Sequence, residues 1–286
     1  MRHTERCGSL LVVLTATVCL SVASADQSID DREQSVCGWL LERMAFALWS
    51  FAAGQPNPEA WKSVSGAEPI TYKTSDGRVL HGYRISARES SDVIGPAAGF
   101  ILFAQGNAML ADRLLGDLKS FAHPGVDVFV YDYRGYGQSQ GNRRLKAIVT
   151  DYREIFDALS AGVPGQHKYL YGISFGGLVL LNVIGGGASF DRAVIDSTPS
   201  RVSHLGCPEE YDPVRNLPTD GSKLLVISGA QDRVVKPSEQ AELRSIAASR
   251  GARVVMLEEF AHPFMDRDPS THRNREKLVK SFLFSQ

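Results

Sequence analysis

From Gly99 onward the chain repeats one pattern: a short apolar run, a turn, then a stretch whose apolar residues recur at helical spacing. The runs are Gly99–Phe103, Val126–Tyr131, Lys168–Tyr171, Arg192–Ile195, Lys223–Ile227 and Arg253–Leu257. The helical stretches are Met109–Phe121, Leu145–Leu159, Leu178–Ile184, Pro237–Ser249 and Arg273–Phe284. A continuous apolar run bounded by turns suits a strand buried on both faces. Strands alternating with helices at this spacing predict an α/β fold, with a mostly parallel central sheet and helices on both faces. Ahead of this repeat, Ile70–Thr74, the turn Ser75-Asp76-Gly77 and Val79–Tyr83 read as an antiparallel hairpin. Ser197–Asp220, rich in proline and charge, reads as a loop, so only a minimal cap is expected over the sheet.

In parallel sheets of this kind, functional residues gather in the loops after the strands' carboxyl ends. The run ending at Tyr171 leads into Gly172-Ile173-Ser174-Phe175-Gly176 and a helix, a G-x-S-x-G pattern. At such a strand–turn–helix junction the serine sits on a sharp turn with its hydroxyl projecting from the sheet. A serine hydroxyl is a weak nucleophile until a base lies within reach, and histidine has a suitable pKa. The histidine in turn needs a carboxylate to fix its tautomer and stabilise the imidazolium. Asp232 follows the Lys223 run and His262 follows the Arg253 run, giving the order Ser174, Asp232, His262. Ser174 is therefore the expected nucleophile, His262 the base and Asp232 its partner.

Other residues compete for these roles. Asp196, after the Arg192 run, could replace Asp232, and His272 could replace His262. His81, His123, His167 and His204 lack metal-ligand spacing and read as surface or packing residues, and Asp132 as a loop brace. An acyl-transfer oxyanion needs preorganised N–H donors. The backbone of Phe175 should supply one, and the Gln105-Gly106-Asn107 turn, through Asn107, the other.

On these residues the chain resembles the α/β-hydrolase superfamily. Within it, the likeness is to the serine-hydrolase branch that holds serine aminopeptidase-like lipases and membrane-associated depalmitoylases. The resemblance runs from about Ile70 to the C-terminus. It rests on Gln105–Ala108, Asp132–Ser139, Gly172–Gly177, Asp212–Leu217 and Gly229–Asp232. It implies an ester or thioester hydrolase working through an acyl-enzyme, with no cofactor or metal. The family usually carries His-Gly-Asn where Gln105-Gly106-Asn107 stands, and Gly-His where Ala261-His262 stands. An exopeptidase or amidase on the same three residues is the alternative function, and a binding protein held at a membrane is a third.

The charges nearly balance, 31 basic against 32 acidic among 286 residues, so nucleic acid is not an expected partner. A small-molecule or acyl-group substrate is. Arg2 and Arg6, the apolar run Leu10–Val22 and Ala23-Ser24-Ala25 form a signal-peptide pattern over residues 1–25. It implies a secreted or periplasmic protein, with an uncleaved membrane anchor as the alternative. Residues 26–66 form an N-terminal segment, and 67–286 the catalytic domain. In the segment, Val36, Leu40, Met44, Leu48 and Phe51 recur at helical spacing, widened by Trp39, Phe46 and Trp49. The 36–51 helix is expected to pack on the catalytic domain; the alternatives are peripheral membrane contact and covering the site. After cleavage Cys37 and Cys207 remain, and both a disulfide and two free thiols are open.

Overall fold

The apolar runs are strands because their side chains are hidden on both sides of one sheet. In the computed structural model, which describes residues 31–87, 97–122, 125–162 and 165–285, all six residues of Gly99–Ala104 and of Leu224–Gly229 are buried. The expected signal segment 1–25, the start of the mature chain to residue 30, the loop 88–96 and His123 lie outside the described residues.

The strands are β1 (Ala67–Lys73), β2 (Val79–Ile85), β3 (Gly99–Ala104), β4 (Val126–Tyr131), β5 (His167–Ile173), β6 (Arg192–Asp196), β7 (Leu224–Gly229) and β8 (Arg253–Leu257). They form one eight-stranded sheet in the order β1-β2-β4-β3-β5-β6-β7-β8. β1 and β2 pair antiparallel, β2 pairs antiparallel with β4, and the remaining pairs are parallel. After β3 the chain goes to β4 on one side and then to β5 on the other. The loops after β3 and β5 therefore open at the point where strand order reverses, where such sheets bind ligands.

The helices are α1 (Trp39–Ala53), α2 (Leu115–Lys119), α3 (Leu145–Gly162), α4 (Phe175–Gly185), α5 (Ala241–Ser249) and α6 (Pro269–Leu283). Phe100, Leu102, Leu170 and Ile195 meet α3, α4 and α5 on one face of the sheet. Ile101, Phe103, Tyr171 and Ile227 meet α2 and α6 on the other. Only one turn-sized helix and a 3-10 turn form within the expected 109–121 stretch. α6 begins at Pro269, earlier than its apolar spacing suggests. Asp268 accepts the N–H of Ser270 at 2.8 Å, and Pro269 fits the first turn, whose N–H groups are unpaired anyway. The stretch between β6 and β7 contains short 3-10 turns and no α-helix, as a minimal cap requires.

The N-terminal helix departs from expectation. α1 lies against the domain, but the regular stripe Leu40, Met44, Leu48 and Phe51 points outward. Its inward residues are Glu42, Phe46 and Ala53. Glu42 is the reason. Its carboxylate accepts the N–H groups of Val36 (2.5 Å) and Cys37 (2.9 Å) and that of Leu145 (2.8 Å), where α3 begins. These charge-assisted bonds turn the carboxylate inward, and Phe46 follows four residues later on the same face. Cys37 is joined to Cys207 by a disulfide, so the segment before α1 is tied to the loop after β6.

Candidate active site

Ser174 stands between β5 and α4 with φ 52° and ψ −118°, in the left-handed half of backbone space that non-glycine residues rarely occupy. Such a conformation costs on the order of 1–3 kcal/mol and persists only where its surroundings enforce it. The surroundings do so through close backbone approach. A Cβ on Gly172 would lie 2.6 Å from the carbonyl oxygen of Gly176. One on Gly176 would collide with the carbonyl of Ala104 at the end of β3, and one on Gly177 with Oγ1 of Thr198. The Ser174 N–H donates to the carbonyl of Asp196 (2.8 Å), and Thr198 Oγ1 donates to the Ser174 carbonyl (3.0 Å). The turn is thus clamped to β3 on one side and β6 on the other.

Asp232 and His262 meet beyond the ends of β7 and β8. Nδ1 of His262 lies 2.9 Å from Oδ2 of Asp232, and both residues are buried. Oδ1 of Asp232 accepts the N–H groups of Val234 (2.9 Å) and Val235 (3.0 Å). Burial pushes the Asp232 carboxyl up, but the His262 hydrogen bond and charge and these two amides outweigh it. The group ends below the ordinary carboxylate value. Both residues line an open cleft of about 490 Å³ with Arg233, Met265 and Arg267 at its rim. In the parallel register Ile173, Asp196 and Ile227 stand side by side, so Ser174 and the pair emerge from the same edge of the sheet.

The competing residues are engaged elsewhere. The Asp196 carboxylate takes a forked pair of bonds from Nη1 of Arg275, at 2.7 and 2.9 Å. Its burial raises its pKa against the pull of Arg275, and it lies near enough to His262 to feel that residue's charge. His272 faces Asp117 at 3.6 Å and Glu276 at 3.9 Å on α6.

The turn after β3 lies over the serine: a Cβ on Gly106 would sit 3.7 Å from Cβ of Ser174. Among the described residues, no acceptor takes the N–H of Phe175 or of Asn107. The Asn107 side chain instead accepts from the Tyr136 hydroxyl at 2.8 Å. Gln105, at the family's usual histidine position, turns into the core. Its Nε2 donates to the Tyr131 carbonyl (2.8 Å), and its own carbonyl accepts from the Tyr133 hydroxyl (2.5 Å). Asp132 braces the same loop by accepting the Ala111 N–H at 2.8 Å.

Arg275 was not legible as part of this region. Besides Asp196, it donates to the carbonyl of Ala261, the residue before His262, at 2.7 Å. Asp266, which lies 3.4 Å from Arg275, accepts the Ala261 N–H at 2.8 Å. Together they hold the loop that carries His262. A single arginine in a polar helix gives no signal of this in the sequence. Among the described residues no group of His, Cys, Asp and Glu could hold a metal ion.

Residues 95–209 match the family model for serine aminopeptidase, S33, a span that includes Ser174 and ends before Asp232 and His262. The structure resembles the Pyrococcus furiosus esterase Pf2001, with a TM-score of 0.62 at 16% identity over 80% of this chain and 95% of that one. The chain has the α/β-hydrolase fold. The structure also resembles a puromycin-hydrolyzing peptidase of Mycobacterium tuberculosis, with a TM-score of 0.59 at 18% identity over 80% of this chain and 40% of that one. In sequence it is 24% identical over 265 residues to the uncharacterized protein YfhR of Escherichia coli K12, covering 86% of this chain and 90% of that one.

Proposed function

We propose that this α/β-hydrolase cleaves esters or thioesters through an acyl-enzyme formed on Ser174. The observation that carries the reading is a strained serine at the strand-order reversal, on the same sheet edge as a buried histidine–carboxylate pair. In this mechanism Nε2 of His262 takes the proton as Oγ of Ser174 attacks the acyl carbonyl. Asp232 keeps the proton of His262 on Nδ1 and stabilises the imidazolium. The unpaired N–H groups of Phe175 and Asn107 are aimed at the developing oxyanion, where losing one donor costs on the order of 10²–10³ in rate. His262 then protonates the leaving alcohol or thiol, and water admitted by the open cleft hydrolyses the acyl-serine by the reverse sequence.

A fluorophosphonate probe should label the wild type and leave Ser174→Ala unlabelled. Labelling that persisted in the variant would remove Ser174 as the nucleophile. The match to an aminopeptidase model and the likeness to a peptidase favour exopeptidase or amidase action as the second reading. Comparing p-nitrophenyl esters of several chain lengths with aminoacyl-p-nitroanilides separates the two. Export to an oxidising compartment is part of the proposal; the Cys37–Cys207 disulfide supports it, since cytosolic chains rarely keep such bonds.

A further inference from the structure

α1 is amphipathic in the reverse of the usual sense. Leu40, Leu41, Met44, Leu48 and Phe51 on its outer side are 57%, 69%, 62%, 66% and 85% exposed. Ala47 and Ala52 fill the same face, so the outward stripe carries no polar side chain. The carboxylate of α1, Glu42, is turned into the protein, and its one arginine, Arg43, lies at the edge of the stripe over the Trp39 ring. Single exposed apolar side chains are ordinary, whereas a contiguous row of five marks a surface with a partner.

We infer that this face docks on an anionic phospholipid bilayer. The first argument is charge. Arg43, which is exposed, and Arg143, which is half-buried, lie near the first half of α1, both close enough to be felt by the buried Arg144. Arg113 reaches its far end, donating to the Gln55 carbonyl at 3.2 Å. Among the described residues none of Arg43, Arg143 and Arg113, the three that reach the surface, pairs with a carboxylate. An apolar stripe edged by unpaired arginines is complementary to acyl chains bordered by phosphate headgroups. A second copy fits poorly, because a two-fold contact through this face would set the same arginines against each other.

The second argument is the chain upstream. Read as an export signal, the apolar run Leu10–Val22 brings the chain to a membrane, and only residues 23–38 separate it from α1. α1 itself has 15 residues, about 22 Å of helix, short of the ~30 Å hydrocarbon core, so it lies on a membrane instead of crossing one. The inference is independent of the catalytic reading. It has one consequence for it: Phe46, on the back of α1, meets the ring of Phe175 at 5.6 Å, so a docked helix holds the Ser174 turn close to the lipid boundary.

The test is flotation of the detergent-free full chain with phosphatidylcholine vesicles, with and without about a quarter phosphatidylglycerol. The wild type should float with the anionic vesicles, and raising the salt should weaken binding. The variant Leu40→Gln, Met44→Gln, Leu48→Gln, Phe51→Gln should lose about tenfold or more of the bound fraction with an unchanged near-ultraviolet spectrum. If that variant misfolds, Arg43→Glu with Arg143→Glu should produce the loss on anionic vesicles. A wild type that stays with the bulk protein would overturn the inference. So would flotation that survives the substitutions, which would place the contact in residues 10–22. A lipid-free dimer dispersed by the same substitutions, without vesicle binding, would assign the face to a second copy.

Discussion

Nδ1 of His262 and Oδ2 of Asp232 are 2.9 Å apart, and the other oxygen of Asp232 is held by two backbone amides. The carboxylate is thereby fixed in both position and charge, and the imidazole can rotate little about it. Asp232→Asn is expected to preserve the fold and to lower kcat on a p-nitrophenyl ester by ~10³–10⁴ with KM little changed, because the amide would favour the wrong tautomer. Steady-state kinetics with a thermal melt on the same sample checks both halves. A loss of less than about tenfold would remove Asp232 from the mechanism.

Arg275 and Asp196 form a buried pair behind the His262 loop. Removing one partner leaves an uncompensated charge in the interior, which costs about 3–5 kcal/mol. Arg275→Met should therefore lower the urea midpoint substantially with the slope unchanged. Asp196→Asn with Arg275→Met should recover part of that loss, since Asp196 no longer strands a charge, while Asp266 still lacks its arginine.

The strands were legible because burial on both faces leaves a continuous apolar run, and the positions of Ser174, Asp232 and His262 followed from the loops after those runs. The orientation of α1 was not legible. Its period announces a helix, but which side faces inward depends on Glu42 capping α3 and on Phe46 meeting Phe175, both of which are tertiary contacts. Arg275 was hidden for the same reason: its partners lie 79 and 14 residues away in the chain. The disulfide stayed open in the sequence because nothing local tells Cys37 where Cys207 will be.

Asp132 lies beneath the turn after β3. Burial, with Asp112 adding to it, raises its pKa from 3.8 to about 7 despite the Ala111 amide. With the folded value above the unfolded one, its contribution to stability is complete below about pH 3.8 and is lost as pH rises through about 7. Asp132→Asn mimics the neutral form and escapes this loss. The stability of the variant relative to wild type should rise by about 1.4 kcal/mol per pH unit within that window and level off above it. Urea titrations from acid to mildly alkaline pH check the slope. A difference that stayed flat, or that fell with pH, would mean the carboxyl ionises freely in the folded protein.

The Cys37–Cys207 bridge closes a loop of 170 residues, and chain-entropy arguments put the stabilisation from so long a loop at about 5 kcal/mol at most. The bridge joins the start of α1 to the loop after β6, while the sheet is built without it. Cys37→Ala with Cys207→Ala should therefore lower the Tm and expose the 31–66 segment to proteolysis well before the sheet unfolds. Phe46 would then be freer to leave Phe175, so turnover should fall together with protection of α1 in hydrogen exchange, and before global unfolding. Treating the wild type with a mild reductant should reproduce the behaviour of the double variant. Loss of α1 protection only at the global transition would show that Glu42 and Phe46 suffice to hold the helix in place.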